Sequence, residues 1–418
     1  MQLKADLKII FIAVAALIII SAVNLFITTE ITGVSGYEKP GRARRCRPVP
    51  TYCEKRITSS LLDHSLALGT RFMINNQRPE GNFNYEFDWI ERKINRKDNQ
   101  VRQAGALWGL ALIFRHTGRA PVLAAVKKGV EFFKTHTVKD PDGRMWVKYP
   151  GERGGQTGTI ALLCLALTET VSSPVTGYEF KKECRMLLNG YMKSLMSMRM
   201  SNGHFHRSYS HESCTPFGPE SSYFDGESLL AMVKAAKYAG MEHLKGPAVE
   251  SAEVMRHLYA VEELRSDPDS KRTKGFYQWG SMSFFELATS GWENTGSFGK
   301  TVIELADWMI DVHCTLEMPG NTAYAYEGII HAYELARRTG DTEHSGKFAC
   351  VIDTGLLKLT SWQVGSPIRN DFLKKHPTMN RFVIGGVLNH ASQSRLRIDV
   401  TQHQMHAVIL ARRYVYRD

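Results

Sequence analysis

The chain has 418 residues, of which 43% are hydrophobic, 23% charged and 10% aromatic, with a formal charge of +11. That length can hold one large domain or two or three small ones, and the composition is that of a folded protein. A nucleic-acid partner is set aside because no binding motif accompanies the charge; the basic excess suits an acidic partner such as a uronate-bearing glycan, or simply a solvated surface.

In chain order, the first element is the apolar run Ile9–Ile27, long enough to span a bilayer and preceded by Lys4 and Lys8. No small-x-small cleavage site follows it, so it reads as an uncleaved anchor rather than a signal peptide. This gives a single-pass protein of the cell inner membrane. The two lysines favour a cytoplasmic N-terminus. The basic cluster Lys39, Arg42, Arg44, Arg45, Arg47, Lys55 and Arg56 votes the other way, from further off. The body is therefore expected on the periplasmic or extracytoplasmic side, with residues 1–30 as membrane anchor, 31–56 as a basic juxtamembrane linker and 57–418 as the folded domain. Cys46 and Cys53, close together in Cys46-Arg-Pro-Val-Pro-Thr-Tyr-Cys53, could form a juxtamembrane disulfide in an oxidising space. The chain has 7 cysteines, none in a Cys-x-x-Cys pair, and His313-Cys314 alone reads as packing. No metal and no cofactor is expected.

After Tyr52 the period is almost everywhere 3.6. Helices are predicted near 57–76, 99–117, 120–136, 156–171, 178–198, 222–239, 244–264, 281–290 with 297–313, 321–339, 344–362 and 395–416. Those near 99, 156, 222, 321 and 395 are rich in Ala, Gly and Leu, as helices buried on most sides must be; their partners carry Lys and Glu on one face. Consecutive pairing gives five hairpins, and the first and last helices supply a sixth if they meet. The fold expected is an all-α (α/α)6 toroid, preferred to an open solenoid because the repeat spacing varies. The long connections Glu86–Asn99, Asp140–Gly155, Met200–Ser222, Ser266–Gly280, Cys314–Asn321 and Gln363–Arg395 each precede an inner helix. They therefore gather on one rim, beside the positive ends of the inner-helix dipoles.

A repeat sharpens this. Asn99–Gly118 and Asn321–Gly340 superimpose without a gap, both closing on basic residues, Thr and a Gly suited to a left-handed cap. Ser221–Gly240 keeps the same phase. Three positions of this register coincide at Gly105, Glu227 and Glu327, and three residues earlier at Arg102, Phe224 and Tyr324. The last helix aligns through Ala411-Arg-Arg413, which sets Asp399 opposite Tyr324 and Gln402 opposite Glu327. Glu227, Tyr324, Glu327, Asp399 and His403 are thus candidate catalytic residues at the mouth of the ring, and Arg102 a candidate substrate ligand. Any one acid near a helix start serves the dipole or a capping box equally well; it is the ensemble, on otherwise apolar helices, that points to a site. His403 lies one helical turn from Asp399, a natural Asp–His spacing. The loops and helix starts add His206, Tyr223, Asp225 and Trp279 as candidate binding residues, the aromatics offering faces on which sugar rings stack.

The pattern Asn321-Thr-Ala-Tyr-Ala-Tyr-Glu327 through Arg337-Arg-Thr-Gly340, with Tyr223-Phe-Asp-Gly-Glu-Ser-Leu-Leu230, resembles helices of the six-hairpin glycosidase superfamily. Its relatives include N-acylglucosamine epimerases, uronyl epimerases and unsaturated glucuronyl hydrolases. The resemblance implies an (α/α)6 fold and a sugar-directed enzyme; with the expected anchor and the basic charge, the reading is a membrane-anchored epimerase, lyase or hydrolase acting on an anionic glycan. Its rim carboxylates, His, Tyr or Arg would act on a sugar ring, a role that falls here on Arg102, Glu227, Tyr324, Glu327, Asp399 and His403. Two readings compete. A cyclase or prenyltransferase toroid would carry a Cys/His zinc set or an Asp-rich acid motif, and neither is found. A non-catalytic toroid would be a scaffold or binding subunit of a membrane machine for polysaccharide synthesis or export, whose components would be partners in either case.

Overall fold

The computed structural model describes residues 46–95 and 98–417. The expected anchor, Ile9–Ile27, and most of the basic cluster lie outside them. No helix among the described residues is long and apolar enough to cross a membrane.

Twelve long helices alternate between two layers. The outer layer holds α1 (Ser59–Asn75), α3 (Ala120–Thr135), α5 (Tyr178–Ser197), α7 (Lys245–His257), α9 (Phe298–Asp307) and α11 (Thr342–Ser361). The inner layer holds α2 (Gln100–Thr117), α4 (Thr157–Ser172), α6 (Ser222–Tyr238), α8 (Lys271–Ala288), α10 (Ala323–Thr339) and α12 (Ile398–Tyr414). Each inner helix packs on the next, and α12 packs back on α2, so the inner ring closes. The sixth pair is α12 with α1, the two ends of the folded chain. Burial follows layer: on α4 every residue from Thr157 to Val171 is buried, whereas α11 buries one face. The closing glycines of the repeat cap their helices as expected, and the opening Asn99 adds a side-chain cap. Asn99 Oδ1 accepts from the Arg102 amide, and Gly118 and Gly340 end their helices at φ 65° and 75°.

One expected boundary is corrected. The stretch Ser266–Gly280 is not a long loop, because α8 begins at Lys271, with the Ser270 side chain accepting from the amides of Arg272 and Thr273. Gly275 and Gly280 suggest a break, but they lie within the helix. A Cβ on Gly275 would lie 2.5 Å from Ser222 Oγ, and one on Gly226 the same 2.5 Å from Trp279 Cβ. These glycines let α6 and α8 approach closely. Phe276 to Trp279 therefore belong to an inner helix rather than to a loop.

The long connections lie on the rim where inner helices begin, and short antiparallel strands bind them together. β1 (Glu86–Asp88) pairs with β2 (Lys93–Asn95) and with β8 (Arg395–Arg397), Glu86 opposite Arg397. β3 (Thr137–Lys139) pairs with β4 (Met145–Val147). β5 (Gly154–Gln156) pairs with β6 (Ser208–Ser210), and β6 with β7 (Pro216–Phe217). β5 and β8 run directly into α4 and α12, so the sheets fix where two inner helices start.

Cys46 and Cys53 do not pair with each other. Cys46 is bonded to Cys314 and Cys53 to Cys350, across sequence separations of 268 and 297. Both partners lie far along the chain, where sequence proximity gives no hint of them. Residues 51–57 lie along α11: the amides of Arg56 and Ile57 donate to Asp353 Oδ1 at 2.9 and 3.0 Å, and a Cβ on Gly346 would sit 2.1 Å from the Thr51 carbonyl oxygen.

Candidate functional site

The inner helices open onto a cavity of about 590 Å³ at the rim. α2 contributes Arg102, α6 Tyr223, Phe224 and Glu227, α8 Lys274, Gln278 and Trp279, α10 Tyr324, and α12 Asp399, Gln402 and His403. The register drawn from the repeat thus brings its equivalent positions to one place. A Cβ on Gly105 would lie 3.8 Å from Gln402 Oε1.

Asp399 sits beneath a pair of arginines. Arg397 grips both carboxylate oxygens, Nε to Oδ1 at 3.0 Å, and Arg102 Nε lies 3.2 Å from Oδ2. Both guanidiniums lie over the Tyr85 ring, at 5.5 and 5.8 Å, and Arg102 also donates to the Tyr85 hydroxyl. Burial alone would favour the protonated acid, but the two arginines and His403 hold the Asp399 carboxyl below its usual range. The expected Asp399–His403 pair does not form, because Arg397 occupies the carboxylate.

His403 instead bonds Glu327, with Nδ1 2.8 Å from Oε1. Glu327 is fully buried directly beneath the cavity. His406 Nδ1 approaches the same oxygen at 3.4 Å, and His331 Nδ1 the Glu327 carbonyl at 2.5 Å. Burial disfavours the imidazolium of His403, yet the Glu327 charge and hydrogen bond outweigh it and raise the pKa. Glu327 moves the opposite way: burial pushes its carboxyl up, His403 and His406 pull it down further. With Nδ1 engaged, Nε2 is the nitrogen left to meet a ligand, and Trp279 flanks the ring at 6.3 Å.

Glu227 differs from both. It is 3% exposed and makes no hydrogen bond with a described residue. Its Oε2 would lie 2.2 Å from a Cβ on Gly158, so that glycine makes the notch the carboxyl occupies. Burial raises its pKa well above the usual value and so favours the neutral acid. Tyr223 and Tyr324 likewise hold their protons, again through burial. The cavity therefore pairs an imidazole base, a neutral carboxylic acid and two phenols with a cationic rim.

Of the ten residues singled out in the sequence, the cavity gathers Arg102, Tyr223, Glu227, Trp279, Tyr324, Asp399 and His403, with Glu327 as the layer below. The other two lie elsewhere. Asp225 is buried behind α6, accepting from Tyr259 Oη at 2.7 Å, His204 Nδ1 at 2.6 Å and the Phe205 amide. His206 is half-buried in the α5–α6 connection, its Nδ1 3.0 Å from the Gly218 carbonyl. Arg397, His406 and His331 were not singled out. A signal existed for the histidines, since His406 follows His403 by three residues and His331 follows Glu327 by four.

No known family profile matches the chain, and no curated protein does. Solved structures do. A sugar epimerase from a ruminal bacterium matches with a TM-score of 0.60 at 11% identity, over 85% of this chain and 98% of that one. A D-mannose isomerase matches at 0.61 and 12%, over 85% and 97%. A family 76 glycoside hydrolase (mannosidase) from Bacteroides thetaiotaomicron VPI-5482 matches at 0.58 and 10%, over 85% and 99%. At such identities the likeness is one of fold. The chain has the (α/α)6 toroid of these six-hairpin enzymes, the architecture its repeat implied.

Proposed function

We propose that this protein is a carbohydrate-active enzyme that epimerises or isomerises an anionic sugar, such as a uronate in a glycan, by moving a proton on carbon. The observation that carries the reading is the His403–Glu327 pair at the floor of a cavity rimmed by Arg102 and Arg397. The substrate carboxylate would lie against Arg102. His403 Nε2 then takes the proton from the adjacent carbon. The electron pair left behind moves into the carboxylate, where the guanidiniums stabilise it. Glu227 or the Tyr324 hydroxyl returns a proton to the other face, which inverts the centre. The names of the fold neighbours support a sugar substrate.

Hydrolysis is the second reading, because a neutral Glu227 is suited to protonating a glycosidic oxygen. Its natural partner, Asp399, is engaged by two arginines and poorly placed to act as base or nucleophile. The deciding experiment incubates the protein with uronate oligosaccharides in D2O and follows them by NMR. Deuterium at the carbon beside the carboxylate, with the epimer appearing, is the expected result, and His403→Asn should reduce its rate about 10²–10⁴-fold. New reducing ends without exchange would favour the hydrolase. Binding with neither would favour the scaffold.

We also propose that residues 9–27 anchor the toroid on the extracytoplasmic side of a membrane. The two long-range disulfides support an oxidising location. Protease added to intact spheroplasts should then digest the toroid; full protection would refute that placement.

A further inference from the structure

Sharing no lining residue with the cavity, a groove of about 460 Å³ lies between α5 and the β3–β4 hairpin. Five cations line it, Lys181, Lys182, Arg185 and Lys193 from α5 and Lys139 from β3, and no carboxylate does. Lys181, Arg185 and Lys193 lie on the same i, i+4 line of the helix, which advances about 6 Å at each step of four residues. Among the described residues Lys139, Lys181, Lys182 and Arg185 make no ion pair, and Lys193 only approaches the Asp142 carbonyl at 3.4 Å. Glu183, on the same helix, is taken by Lys134 at 2.7 Å. A solvated basic face normally intersperses carboxylates, and like charges at this spacing weaken a helix. Here Glu179 stands in the helix's first turn outside the groove, and the concave lining itself holds five cations and no carboxylate. Tyr178, 75% exposed, and Met186, 52% exposed, put an aromatic ring and an apolar contact on the same surface.

We propose that this groove is a second binding site, for an extended polyanionic glycan. Its shape selects a single chain: a flat bilayer would meet the helix ridge and the hairpin before it reached the groove floor. An exposed tyrosine gives a sugar ring a face to stack on. Lys139, Gly143 and Met145 of the groove belong to the connection that precedes α4, one of the loops of the rim. The choice of a glycan over other polyanions rests on the sugar-directed reading of the cavity.

The test titrates the full chain in detergent with polygalacturonate oligosaccharides, comparing wild type with Lys181→Ala/Arg185→Ala/Lys193→Ala and with His403→Asn. The groove variant should bind at least 10-fold more weakly, and wild-type binding should weaken as salt is raised from 50 to 500 mM. Turnover of a short uronate substrate should be unchanged in the groove variant. His403→Asn should bind the polymer as wild type does, which separates this site from the fate of the catalytic reading. Equal polymer affinity in wild type and the groove variant would overturn the proposal. So would groove-dependent binding of anionic vesicles or of an oligonucleotide without binding of the polyuronate.

Discussion

His403 owes its basicity to Glu327, so the two residues predict a pH signature. A base acts when deprotonated, and its raised pKa places the acid limb of the rate profile above the usual imidazole value of 6.5. Glu327→Gln removes the charge that favours the imidazolium; the pKa falls, and the limb should move to lower pH as the plateau rate drops. An unmoved limb in kcat/KM would mean that another group sets it. Arg102→Lys keeps the charge but loses the planar fork, and should raise KM for a uronate about 10-fold, in line with a charged hydrogen bond of about 1.5 kcal/mol. At the opposite end of the inner helices, Glu169 is 1% exposed and binds Arg115 at 2.6 Å together with Lys234. Burial opposes its charge, but the two cations hold its pKa at about 2. A depressed acid stabilises the fold fully above its unfolded value of about 4.5, and that contribution is lost as pH falls towards 2. Glu169→Gln strands both cations, and should cost about 3–5 kcal/mol at neutral pH and flatten the acid limb of the stability curve.

At the scale of elements, helix contacts through glycine make a sharper claim than helix propensity does. Gly226→Val on α6 would drive its Cβ into Trp279 on α8, and overpacking of this kind costs about 1–3 kcal/mol. Thermal unfolding should show a lower Tm, and Trp279 should leave its place beside His403. These same glycines mark where sequence reading failed. Gly275 looks like a loop residue when only the chain neighbours are known, and becomes a helix-contact residue once Ser222 and Tyr223 are beside it. The caps Gly118 and Gly340 were legible because their chemistry is local. So was the register of Glu227, Tyr324 and Asp399, because a repeat compares the chain with itself. Glu327 with His403 was not legible as a pair: the two are 76 residues apart, and nothing local chooses between Asp399 and Glu327 as the partner of the imidazole.

For the whole molecule, the two disulfides tie residues 46–53 to the loop after α9 and to α11. Replacing Cys53 and Cys350 by Ala should lower stability by about 2–4 kcal/mol, read as a shift in denaturant midpoint. The wild-type protein treated with a reductant should fall further, because Cys46–Cys314 is lost as well. Ring closure carries a consequence in time as well as in space. α12 follows the other eleven long helices described, and it both seals the ring against α1 and α2 and supplies Asp399, Gln402 and His403. Until it emerges, five hairpins have no closed surface to bury their inner faces against, and the pocket lacks its base. On the proposed mechanism, a chain truncated before Ile398 lacks both the seal of the ring and its base, and should neither exchange nor epimerise a uronate.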